Sequence, residues 1–148
     1  MSVDRNSQMT TWVAQQLGHD QFEIQGLAGD ASFRGYARVD VQGRKLIVMD
    51  APPSHEDCRP FVGVAGLLAA HDVNVPEILA QDLEQGFLLL EDFGNTLLSQ
   101  VLDADNVDAW YGLAMNQIIH MQKFSFRCSS SPQFNRCSSL FFCSNKLS

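Results

Sequence analysis

Gly29-Asp30-Ala31-Ser32 is a run of small residues between two strand-like segments, and such a loop lets backbone N–H groups approach an anion closely. By itself the run fits an ordinary turn equally well. A second chemically loaded position is Asp50, an acid that ends the apolar run Leu46-Ile47-Val48-Met49 just before Ala51-Pro52-Pro53. An unbroken apolar run stopped by prolines reads as a strand buried on both faces, so Asp50 falls where burial begins to cost a charge. The other constellations are poor in chemistry. There is no Gly-x-x-x-x-Gly-Lys-Ser/Thr loop, no Gly-x-Gly-x-x-Gly after a strand and no Gly-x-Ser-x-Gly turn. His19, His55, His71 and His120 lack metal spacing, and Glu56-Asp57 and Glu91-Asp92 are adjacent pairs whose carboxylates point apart.

These residues need elements to hold them. Met9, Trp12, Val13 and Leu17 recur at helical spacing between Ser7, an expected N-cap, and Gly18, an expected stop. Phe22–Leu27 and Ser32–Val41 read as paired strands, the second with Phe33, Ala37, Val39 and Val41 on one face and Arg34, Tyr36 and Arg38 on the other. Gln42-Gly43 turns the chain into a third strand, Lys45–Asp50. Ser54 with Asp57 reads as a helix start, and Phe61, Val64, Ala65 and Leu68 form one apolar face. Gly63 and Gly66 weaken that helix and point to close backbone packing or a helix that shifts. After the extended link Val73-Asn74-Val75-Pro76, Glu77–Asp82 and Phe87–Phe93 form a hairpin. Asp105 is the expected cap of a last helix striped by Val107, Trp110, Ala114, Ile118 and Met121.

The totals narrow the function classes. The 148 residues, 45% of them apolar, suit one domain or the smaller lobe of a two-lobed protein. A formal charge of -7 without clustered Lys or Arg argues against a nucleic-acid partner. No run approaches the ~18 apolar residues of a spanning helix and the N-terminus has no signal-like segment, so the expectation is a cytoplasmic protein with no membrane partner. Composition breaks after Gln122. All 17 acidic residues precede it, whereas Lys123–Ser148 carry no acid, eight Ser, five Phe and three of the four Cys. Cys128, Cys137 and Cys143 have neither zinc spacing nor a framework of partners. That stretch reads as an aberrant tail, disordered or translated out of the parent frame.

Taken together, A-G-D-A-S-F-R-G-Y-A-R-V, L-I-V-M-D-A-P-P and V-N-V-P-E-I-L-A-Q-D-L-E-Q-G-F-L-L-L-E-D-F-G-N-T resemble the aminoglycoside-phosphotransferase-like kinases. Within them the likeness is greatest to the bacterial anomeric kinases of N-acetylmuramate and N-acetylglucosamine in cell-wall recycling. It covers residues 5–122, about the first third of such an enzyme, and nothing after Gln122. The resemblance implies an α+β fold: a protein-kinase-like N-terminal lobe at 1–94, with a five-stranded antiparallel sheet and a packed helix. The start of a helical C-terminal lobe would follow at 95–122, and the tail at 123–148.

The resemblance also implies an ATP site. Gly29, Asp30, Ala31, Ser32 and Phe33 would cover the phosphates, with Arg34 beside them; Val39, Met49 and Leu90 would wall the adenine, and the Glu91 carbonyl with the Phe93 N–H would read its edge. One departure is expected to matter. Kinases of this broad class carry a strand-three cation paired with a helix Glu. Here the matching position is Asp50 and the helix body has no Glu, so Arg34 or Arg38 is expected to supply the charge. Asp50 is left as a sugar or cation contact or a structural acid bonded to backbone. The hydroxyl-orienting residue and the Mg²⁺ ligands would come from the other lobe, so the chain would carry no catalytic residue and be inactive alone. Two rivals stay open: a non-catalytic kinase-like binding or regulatory domain, and an unrelated α+β domain.

Overall fold

The structure, a computed structural model, describes residues 4–27 and 33–128. The elements in chain order are helix α1 (Arg5–Leu17), strands β1 (Glu23–Gly26), β2 (Gly35–Val41) and β3 (Arg44–Asp50), and helix α2 (Arg59–Ala69). Strands β4 (Ile78–Asp82) and β5 (Phe87–Glu91) and helices α3 (Leu98–Val101) and α4 (Val107–Cys128) follow. The strands form one antiparallel sheet in the order β1-β2-β3-β5-β4. This is an α+β fold with the five-stranded antiparallel sheet that the resemblance implies. One compact unit holds the described residues of Met1–Ala70 and Asn74–Asn95, and a second those of His71–Val73 and Thr96–Ser148.

Turn chemistry sets the register. Gln42 and Gly43 both adopt positive φ, 53° and 90°, the two-residue geometry whose twist matches an antiparallel hairpin, and Asp40 accepts the Gly43 N–H at 2.8 Å. The β4–β5 hairpin closes on Asp82, whose Oδ1 accepts the Glu84 and Gln85 amides. Gly86 is required at its end. It has φ 75°, and a Cβ there would lie 1.9 Å from the Ala51 carbonyl oxygen, because the hairpin packs its backbone onto the exit of β3. The Ala51 N–H donates to the Gly86 carbonyl at 2.9 Å across that contact.

Alternation along the strands sorts the core into two faces. On one, Met9, Trp12 and Val13 of α1 pack on Ala37, Val39, Leu46, Val48, Phe87 and Leu89. Trp12 and Phe87 meet ring to ring at 5.6 Å. On the other face lie Met49, Ala51, Cys58, Leu88 and Leu90, with Tyr36, Ile47, Phe61, Val62 and Ile78 packed against them.

Four local expectations are corrected. Helix α1 begins at Arg5, ahead of Ser7, and the Ser7 carbonyl instead accepts the Thr11 hydroxyl within the helix. Helix α2 begins at Arg59, not Ser54: Pro60, which lacks an N–H and has a fixed φ, is tolerated only in a first turn and so marks the start. Residues 52–56 form a turn in which His55 and Glu56 donate to the Pro52 carbonyl. Gly63 and Gly66 face open space, with nothing within 4 Å of where a Cβ would stand, so no close backbone packing explains them. Finally, Asp103, not Asp105, shapes the start of α4, accepting the Asp105 and Asn106 amides on Oδ1.

Helix α4 exposes Trp110, Tyr111, Leu113, Met115, Ile118 and Ile119. It runs six residues into the compositionally distinct tail. Within its unit, His120 Nε2 donates to the His71 carbonyl at 2.6 Å. Among the described residues no helix is long and apolar enough to cross a membrane.

Candidate functional site

The face of the sheet that carries α2 gathers most of the chemically distinctive residues. Register places Arg38 opposite Ile47, Ile47 opposite Leu90 and Leu90 opposite Ile78, one row across four strands. The next row runs Tyr36, Met49, Leu88. Met49 is wholly enclosed in its own cluster and is therefore core, while half-buried Ile47 leaves part of an apolar wall accessible beside Leu90. The sequence does not single out Ile47. Leu-Ile-Val-Met is apolar at every position, so its alternation is invisible until the register is known.

Val39 does not join this wall. It is one of the buried residues on the α1 face, on the opposite side of the sheet from Met49 and Leu90. The expectation that Val39 and Met49 line one pocket is therefore corrected, because residues on paired strands share a face only when their register parity matches.

Asp50 is corrected in the same way. It points to the α1 face, where its Oδ1 accepts Arg5 Nε at 3.0 Å and Nη2 at 2.7 Å, and Arg5 Nη2 also donates to the Gln85 carbonyl. The guanidinium lies 4.1 Å from the Phe87 ring centroid. Asp50 is thus an acid paired with a side chain, Arg5, rather than bonded to backbone, and it lies on the face of the sheet opposite Met49.

Two arginines that β2 and its approach bring to the α2 face are each paired. Arg34, just ahead of β2, reaches Glu56 Oε2 at 3.2 Å, both side chains keeping a quarter or more of their surface in solvent (30% and 25%). Glu56 precedes α2, so a carboxylate near the helix start is present although the helix body has none. Phe33 is not on the core face of β2. It is 65% exposed and stacks on His55, ring centroids 4.8 Å apart. Two contacts therefore tie the residues after the small-residue loop to the turn ahead of α2. Gly29, Asp30, Ala31 and Ser32 themselves lie outside the described residues.

Arg38 makes the more buried pair. Its Nε and Nη2 donate to Asp92 Oδ2 and Oδ1 at 2.5 and 3.1 Å, with the side chains 11% and 3% exposed. Asp92 Oδ1 also accepts the Gly94 N–H at 2.7 Å. The hydrogen bond from Arg38, aided by that N–H and opposed by burial, holds the Asp92 carboxyl below the usual aspartate range. Just before it, Glu91 and Glu77 are linked twice: the Glu91 N–H donates to the Glu77 carbonyl at 2.9 Å, and the Glu77 N–H to Glu91 Oε2 at 3.2 Å. Phe93 follows with its ring 58% exposed. Cys58, at the start of α2, is buried, and burial pushes its thiol up, away from the reactive thiolate. Among the described residues no three His, Cys, Asp or Glu side chains gather as a metal site, so no Mg²⁺ ligand is assigned.

A five-stranded antiparallel sheet with a helix on the face that carries paired arginines, and a connecting segment leaving its apolar strand β5, has the architecture of a kinase-like small lobe. The chain belongs to the phosphotransferase enzyme family (APH), whose family model matches residues 23–136, past Gln122 where the likeness was expected to stop. It is 54% identical over 101 residues to the N-acetylmuramate/N-acetylglucosamine kinase of Pseudomonas aeruginosa, covering 68% of this chain and 30% of that protein. The proteins of the same name from Pseudomonas putida and Neisseria meningitidis are 41% and 31% identical, covering 80% and 90% of this chain and 38% and 41% of theirs. The chain thus spans about a third of the length of these relatives.

Proposed function

We propose that this chain is the nucleotide-binding part of an ATP-dependent kinase that phosphorylates an amino sugar, N-acetylmuramate or N-acetylglucosamine, in the reuse of cell-wall sugars in the cytoplasm. Residues 1–94 form the nucleotide lobe and 95–122 begin the helical lobe. The observation that carries the reading is the Arg34–Glu56 pair beside the stacked Phe33 and His55. It supplies a cation two residues past Ser32 in sequence and a carboxylate just ahead of α2, the two charges that neither position 50 nor the body of α2 provides.

Phosphoryl transfer asks little covalent chemistry of a protein. Positioning and charge neutralisation are its main demands. In this reading the loop Gly29–Phe33 covers the phosphates with Arg34 as their cation, held in place by Glu56. Arg38 is committed to Asp92 and is not that cation. Ile47 and the edge of Leu90 wall the base, and the main chain of Glu91 and Phe93 meets its hydrogen-bonding edge. Apolar walls with a few main-chain groups suit a planar base that must shed water. Mg²⁺, when bound with the nucleotide, would neutralise phosphate charge, with ligands outside this chain. The 148 residues alone bind nucleotide without transferring phosphate.

The test joins this lobe to the second lobe of the Pseudomonas aeruginosa relative and follows transfer of labelled phosphate from ATP. Sugar phosphate formation with N-acetylmuramate or N-acetylglucosamine, lowered at least about tenfold by Arg34→Ala, is the expected outcome. Absence of transfer to any sugar would sink the proposal and favour a non-catalytic binding or regulatory domain.

A further inference from the structure

Arg38 and Asp92 bring two charges together with their side chains only 11% and 3% exposed, a position that a packed apolar pair could also fill. The pair also has a geometry that plain packing would not ask for. It is bidentate, it bridges the middle of β2 to the first residue after β5, and the same Asp92 oxygen that takes Arg38 Nη2 takes the Gly94 N–H. Gly94 has φ 85° and nothing within 4 Å of where its Cβ would be, so hydrogen bonding rather than packing holds this turn. On the preceding side, Glu91 is tied to Glu77. Glu91 is therefore held from the residue ahead of β4, and Asp92 with Gly94 from β2, at the two ends of the row Arg38, Ile47, Leu90, Ile78.

We propose that Arg38 and Asp92 form a positioning pair that sets the main chain of Glu91 and Phe93 against the edge of the adenine ring and so determines preference for the base. The inference rests on the nucleotide reading above and deepens it. Neither side chain touches the phosphates. Their effect passes through the backbone they orient, where an error of about 1 Å in a hydrogen-bonding edge forfeits much of its affinity.

Binding of ATP and of inorganic tripolyphosphate, which has no base, is measured by equilibrium dialysis on the 148-residue chain and on Arg38→Lys, Asp92→Asn and Gly94→Ala. Lys keeps the charge but loses the fork, Asn keeps the shape but loses the charge, and Gly94→Ala strains the turn at an exposed site that does not threaten folding. The expected result is ATP binding weakened about tenfold or more in all three, with tripolyphosphate binding and the near-ultraviolet circular dichroism of the fold unchanged. Equal weakening for both ligands would assign the pair a structural role, and unchanged ATP binding would deny it any role at the base; either overturns the proposal. Failure of the unaltered chain to bind either ligand would overturn the nucleotide reading itself, a distinct outcome.

Discussion

The two faces of the sheet are built to different standards. On the α1 face the helix buries Met9, Trp12 and Val13 against six strand residues, and Arg5 ties α1 to Asp50, Gln85 and Phe87 at once. On the α2 face the helix buries no residue fully, carries two exposed glycines and leaves its arginines paired near the surface or beside the chain leaving β5. A face that is closed by packing contributes stability. One that is half-closed keeps apolar wall and charge available to something else, and regions that must admit a ligand are drawn from the less stable parts of a fold.

The sharpest way to break this contrast is to truncate an aromatic on each side. Phe87→Ala removes a wholly enclosed ring that contacts Trp12 and the Arg5 guanidinium, and is expected to cost about 3–5 kcal/mol. Phe61→Ala, on half-buried α2, is expected to cost less than half as much, since part of its surface already meets solvent. Urea unfolding of both variants decides it. Equal losses would mean that α2 is as firmly packed as α1.

A smaller effect comes from acid. Because Asp92 titrates lower in the folded chain than in the unfolded one, its contribution to stability is complete above the ordinary aspartate range near about 4 and is lost as pH falls through the lower folded value. Unfolding midpoints from pH 6 down to pH 2 should fall less steeply in Asp92→Asn than in the parent. Parallel curves would show that the pair carries no such linkage.

The smallest expected change sharpens the comparison in the other direction. Gly66→Ala places a methyl group in open space on α2 and should stabilise by up to about 1 kcal/mol, read as a raised thermal midpoint. If α2 must yield to admit nucleotide, the same variant will bind ATP more weakly.

Much was determined by the sequence alone. The first three strands as a meander, the last two as a hairpin, the Gln42-Gly43 turn and the Gly18 stop follow from local periodicity and turn residues, which act over a few positions and need no knowledge of neighbours, while linked motifs carried the family likeness and with it the single five-stranded sheet. Tertiary structure decided what those local rules leave open. The register of strands sent Val39 and Asp50 to the α1 face and Ile47 to the α2 face, a difference that a uniformly apolar strand cannot announce. Pairings across 45 and 54 positions, Arg5 with Asp50 and Arg38 with Asp92, fixed which charge serves which end, because an ion pair depends on distance in space and not on spacing along the chain.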